Sequence, residues 1–268
     1  MKSLHTLSVV ALFAGSAHAG LVIESAERNT KSGAERPSQT MQIQDGRARI
    51  DVGADKRSSM IFKDDAMYIV DLQRRTYTTM DSATLERTMG ALNDAMAQMR
   101  AQMATMPPEQ RAMMENMMKQ NGLAMPGNTD KKPVYDAAAT GATEKAGGQT
   151  CKIWNVKRDG TLWQQLCVVP FSALQGRDEF QALAKKMRAL VEKMGSVATQ
   201  FAGNPTQQDE ALAAKLDGVP FITRRYRDGA LDETEVVVKA WRTQSVAAGE
   251  FEIPAGFTKQ ELPSIPKK

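Results

Sequence analysis

Histidine is almost absent from this chain. Of 268 residues only His5 and His18 are histidine, and both lie among the first nineteen. Those nineteen residues read as a signal peptide: Lys2 gives a short basic start, residues 7–14 an apolar run, and Ala17-His18-Ala19 the small-x-small pattern that signal peptidase cuts. Cleavage near Ala19 would leave a mature chain without histidine. Ser-His-Asp and Cys-His catalysis, His-ligated zinc and the two-histidine iron site are then excluded as far as this chain supplies the groups. No Asp/Glu pair stands out from a solvated surface either, so the expected function is non-enzymatic and no cofactor is expected.

Long apolar runs are lacking too. Beyond the cleavage site none is long enough to cross a bilayer, and no cysteine follows the cut for lipid attachment, so a periplasmic or secreted, soluble protein is expected. Charge of one sign is not in excess. Lys+Arg number 35 against 31 Asp+Glu, a net charge of +4 that falls to +3 when Lys2 is removed. The positive residues are dispersed among acidic ones, which argues against a nucleic-acid footprint. Arg224, Arg225 and Arg227 form a local basic cluster, read here as a solvated strand face.

Cysteine is limited to Cys151 and Cys167, with Arg158-Asp159-Gly160 midway between them. A three-residue hairpin loop with Gly160 in the left-handed position sets Val156 opposite Leu162 and Cys151 opposite Cys167. Paired strand residues lie within the Cα separation that a disulfide tolerates, and export favours its formation. Without a Cys-x-x-Cys spacing, its expected role is to clamp a hairpin.

Methionine, by contrast, is abundant, and 11 of the 17 fall within residues 80–125. Leu85, Met89, Leu92, Met96, Met99, Met103 and Met106 recur at steps of four and three, one continuous seam on a helix that Asp81 or Ser82 can cap. Pro107-Pro108 ends it and opens a second helix whose Met113, Met114, Met117 and Met118 make a broad sulfur-rich face. Residues 81–122 therefore read as a Met-rich helical hairpin insert, and 123–149 as a flexible linker carrying at most one strand near 134–138. Before the insert, 21–27, 40–44, 47–52, 59–62, 66–70 and 75–79 read as an antiparallel meander, with 29–37 a polar connection. After it come the cysteine hairpin, a helix starting at Ser172 with Phe180, Leu183, Met187, Leu190, Met194, Val197 and Phe201 in a second seam, and a hairpin turning at Asp228-Gly229. Residues 20–268 form one domain in this reading.

The run Gly46-Arg47-Ala48-Arg49-Ile50-Asp51, the run Met67-Tyr68-Ile69-Val70-Asp71 with Tyr77, the cysteine hairpin and the ending Phe251-Glu252-Ile253-Pro254-Ala255-Gly256-Phe257 follow in the order of a known plan. The chain resembles bacterial lipoprotein carriers of the LolA/LolB type, and more closely a family of exported bacterial proteins built on a domain of unknown function. The resemblance implies an α+β fold: a strongly curved antiparallel sheet, an incomplete β-barrel, with helices covering its concave face. It also implies a hollow apolar enough to hold acyl chains.

Three functions are compatible with these residues. A carrier or chaperone would present an apolar surface, including Met96, Met99, Met103, Met106, Met113, Met114, Met117 and Met118, to a lipid, lipoprotein or unfolded polypeptide, since methionine adapts to irregular partners. A Cu(I)-binding protein would use Met113 with Met117, or Met114 with Met118, each pair one helical turn apart. An envelope docking or structural protein would use the same hairpin against a membrane protein, with no small ligand.

Overall fold

The computed structural model describes residues 19–107, 109–110, 113, 134–202 and 215–261. Twelve strands form one sheet in the order β12-β6-β5-β4-β3-β2-β1-β11-β10-β9-β8-β7. The first six are β1 (Leu21–Asn29), β2 (Glu35–Gln44), β3 (Arg47–Val52), β4 (Ser58–Lys63), β5 (Ala66–Asp71) and β6 (Thr76–Met80). The others are β7 (Tyr135–Ala146), β8 (Gln149–Arg158), β9 (Thr161–Pro170), β10 (Gly218–Arg227), β11 (Ala230–Thr243) and β12 (Thr258–Lys259). Neighbours pair antiparallel except β12, which lies parallel to β6. The sheet is open, with β12 and β7 at its two ends.

Two helices are described: α1 (Ser82–Thr105), between β6 and β7, and α2 (Arg177–Ala202), between β9 and β10. The fold is therefore mostly β, where a helix-covered α+β architecture was expected. The second helix of the anticipated hairpin falls almost wholly outside the described residues. Asp81 does cap α1: its Oδ1 accepts the Thr84 amide at 2.7 Å, satisfying one of the first-turn donors that a helix leaves unpaired. α2 starts later than Ser172 implied, because Phe171–Ala173 forms a 3-10 turn and Gly176, with φ of 70°, turns the chain before the helix begins.

Strand alternation sorts the apolar residues onto two faces. On one, Leu21, Ile23, Ile43, Ala48, Phe62, Cys167, Val169 and Ile222 form a continuous core with Leu183 of α2, and Phe180 and Met187 pack against it. On the other, Val22, Ile61 and Val70 are covered by Val246 and Phe251 of the C-terminal segment. A third cluster lies at the β7 end, around Ala137, Val156, Leu166, Val168 and Leu216, with Tyr135, Trp154 and Trp163 packed against it.

Three readings of the sequence are corrected here. The one strand allowed near 134–138 within the 123–149 linker is the edge strand β7 and runs on to Ala146, while 123–133 lie outside the described residues. The strand tolerates its Gly141 because the ladder to β8 shifts register between Ala139 and Thr143, a bulge that a left-handed glycine accommodates. β2 begins at Glu35, not after Pro37. Pro37 sits beside the register shift opposite Ser25/Ala26, a position where a missing N–H is tolerated. Finally, the cysteine hairpin turns on two residues, Asp159 (φ 50°) and Gly160 (φ 83°), so Arg158 faces Thr161 and, past a bulge, Ile153 faces Cys167. Cys151 and Cys167 are thus diagonal neighbours. Twist still brings their Cα atoms to 5.2 Å and the disulfide forms.

Candidate functional site

An open cleft of about 620 Å³ lies between α2 and the start of β10. Its position follows from local sequence. The α2 seam turns Phe180 and Leu183 onto the sheet, which leaves the next helix face, with Ala184 and Lys185, over the beginning of β10. Phe171, Phe180, Ala184, Val219 and Pro220 give the cleft apolar walls, and Lys185, Arg188 and Asp217 bring charge to it. β10 approaches closely here because Gly218 has no side chain: a Cβ at that position would sit 2.3 Å from the Val169 carbonyl oxygen.

An aromatic row fixes the helix above the sheet. Phe171 and Phe180 have centroids 6.5 Å apart, Phe180 and Trp241 5.4 Å, and Trp241 stacks on Phe221 at 5.8 Å. Trp241 Nε1 donates to the Gln175 carbonyl at 2.8 Å, which ties the turn before α2 to β11. Met41 and Met67 pack on this same core from the sheet, and Met187 packs on it from the helix.

Farther along the same face is a network of charges. Arg224 Nε donates to Glu235 Oε2 at 2.7 Å, and its two terminal nitrogens donate to Glu144 at 2.7 and 2.8 Å. Arg28 Nε donates to the other oxygen of Glu235 at 2.6 Å, and Gln165 accepts from Arg224 at 2.9 Å. Register puts all of these on the Ile222, Cys167 and Val237 face. The Arg224 hydrogen bonds hold the Glu144 carboxyl below its ordinary pKa against the opposing effect of burial, and Glu144 raises that of Arg224 in return. Each carboxylate in the group faces at least one guanidinium, and the network fastens β7 to β10.

The methionines singled out from the sequence are only partly placed. Met96, Met99 and Met103 belong to α1, which meets β6 and α2, but their side chains are outside the described set. Met106 follows the helix and is half-buried, and Met113 is 73% exposed. Met114, Met117 and Met118 lie outside the described residues. Both sulfur pairs considered for Cu(I) thus lie wholly or in part outside the described residues, and among the described residues no group of three or more His, Cys, Asp or Glu could hold a metal ion. No described helix is long and apolar enough to cross a membrane. Sequence reasoning missed Lys185, Met41 and Met67, whereas Met187 was already in the α2 seam. Phe180 was legible as a member of the α2 seam.

No family model and no curated protein matches the sequence. Among solved structures the chain is similar to an uncharacterized conserved protein from Thermus thermophilus, with 6% sequence identity, 90% of each chain covered and a TM-score of 0.39.

Proposed function

We propose that this is an exported, non-enzymatic carrier whose open sheet acts as an incomplete barrel, with α2 over its hollow side, and whose ligand is amphipathic, with an acyl or similar apolar part and an acidic head. The observation that carries the reading is the cleft between α2 and β10. Its volume is in the range of small-molecule sites, its walls are apolar, and Lys185 stands beside them with no carboxylate in ion-pair reach among the described residues. Burying an alkyl chain against Phe171, Phe180 and Val219 would contribute roughly 0.8 kcal/mol per methylene. The disulfide suits an oxidising compartment, in line with the export signal, and the resemblance to LolA/LolB carriers points the same way.

The test fills the cleft without touching the core. Ala184 lines it from an exposed helix position, so Ala184→Trp should leave the melting temperature unchanged and weaken binding of a fluorescent fatty acid about tenfold or more. Equal affinity in the two proteins would remove the cleft from the mechanism, and no binding by the unmodified protein would remove the carrier.

A further inference from the structure

The arginine cluster near residue 225 divides between the two sides of the sheet, and the carrier reading uses neither part. Arg224 turns into the ion network, while Arg225, the next residue along the strand, turns to the opposite face. Strands β9 and β10 are paired only as far as Arg225↔Gln164. Each hairpin nevertheless runs on, β8–β9 to Arg158↔Thr161 and β10–β11 to Arg227↔Ala230, and both ladders shift register close to the parting point. The two tips diverge there and leave a cleft of about 350 Å³. Along β10 its nearest lining residue, Arg225, is five residues from Pro220 of the α2 cleft, roughly 17 Å at the rise of an extended strand, and the two clefts share no lining residue.

Three arginines line this second cleft, Arg158, Arg225 and Arg227, against two carboxylates, Asp228 and Asp232. Arg227 is paired with Asp232 at 3.4 Å. Arg158 and Arg225 have no carboxylate within ion-pair distance among the described residues, so two guanidinium forks from different hairpins share one concavity. Trp163 joins them, braced edge-on by Tyr135 with ring centroids 5.1 Å apart. A guanidinium fork matches the oxygens of a phosphate two at a time, and an indole beside it accepts the ring or sugar that bears the phosphate. We propose that the parting of these hairpins is a second binding site, for a phosphate ester, in which Arg158 and Arg225 take the phosphate and Trp163 the group it is attached to.

The experiment uses the full mature chain and two phosphate sources: phenyl phosphate in solution, followed by calorimetry, and phosphatidylcholine vesicles carrying phosphatidic acid, followed by flotation. The double variant Arg158→Gln/Arg225→Gln should bind phenyl phosphate about a hundredfold more weakly, each charge-assisted contact being worth roughly a factor of ten or more. Arg36→Gln, which removes an exposed arginine paired with Glu27 on β1, should bind as the unmodified protein does. Both arginines of the double variant are exposed and have no ion-pair partner among the described residues, so its melting temperature should hold and any loss would be one of binding. Binding of phenyl phosphate without flotation supports the site with a soluble ligand, and flotation lost in the double variant supports it with a lipid headgroup. Affinity that is the same in the double variant, that falls equally in Arg36→Gln, or that is undetectable for both sources overturns the proposal.

Discussion

One guanidinium, that of Arg224, joins three strands by donating to Glu235 on β11, to Glu144 on β7 and to Gln165 on β9. Glu235 is 6% exposed and would be left beside Arg28 alone if Arg224 were lost. Breaking a buried pair from one side typically costs about 3–5 kcal/mol, far more than the pair adds over an apolar substitute. Arg224→Met should therefore destabilise strongly, whereas its sequence neighbour Arg225→Met should be nearly silent. Glu144 gives the network a pH dependence of known sign. Its folded pKa is lowered from the ordinary 4.5, first by the Arg224 hydrogen bond, so its contribution is present above that value and is lost as pH falls through the folded pKa. Thermal melts should show unmodified protein above Glu144→Gln at neutral pH, with the gap closing below about pH 4.5. A gap that stays constant down to pH 3 would show that the carboxylate charge contributes nothing. From sequence, Arg224, Arg225 and Arg227 looked alike. Alternation could separate 224 from 225, but only long-range register could say that carboxylates from β7 and β11 arrive beside one of them.

At the scale of elements, what could be read early was whatever is encoded within a few residues. Asp45-Gly46 and Asp228-Gly229 each place two left-handed residues in a row and turn tight hairpins, and Asp159-Gly160 does the same where a three-residue loop was expected. The seam Phe180, Leu183, Met187 faces the sheet as its spacing requires. Bulges were not legible, because an inserted residue has no composition of its own. The bulges at Ser25/Ala26, Ala139/Thr143 and Val156/Lys157 accompany the early start of β2, the continuation of β7 beyond the strand expected near 134–138, and the diagonal placement of the cysteines. The disulfide itself does not depend on that register error. It closes a separation of 16 residues, which the chain-entropy model values at about 3 kcal/mol. Cys151→Ala/Cys167→Ala should lower the unfolding free energy by that order in urea while the far-ultraviolet spectrum is retained. An unchanged urea midpoint would mean that the cross-link restrains little in the unfolded chain.

The whole molecule has two unlike sides. Parts of three runs singled out in the sequence, 46–51, 67–71 with Tyr77 and 251–257, meet on the side away from the α2 cleft, while the cysteine hairpin joins the α2 side. Arg47 lies over the Phe251 ring at 4.9 Å, and Arg49 donates both to Asp51, at 2.7 Å, and to the Glu250 carbonyl, at 3.2 Å. Tyr68 and Tyr77 pack in the same cluster, with Phe257 beside them. Lys63 pairs with Glu252, and β12 hydrogen-bonds along β6, so these motifs clamp the C-terminal segment onto the sheet. They are legible as a pattern because they are an architectural device. The α2 cleft, assembled from a helix face and a distant strand, has no such local pattern. The centre of the sheet gains most from this arrangement: Leu21, Val22 and Ile23 of β1 are buried, their side chains alternating between the two sides. β7, at the free edge, has exposed side chains over most of its length and a bulge in its only described ladder. Local opening should accordingly be graded across the sheet. Native-state hydrogen exchange should give β1 and β11 amides the full unfolding free energy, and the amides of 135–143 a much smaller value. Equal protection at both places would mean that another surface pairs with the β7 edge, whether a second chain or a segment outside the described residues. Repeating the measurement at several protein concentrations separates these, because only pairing with a second chain raises protection as concentration rises.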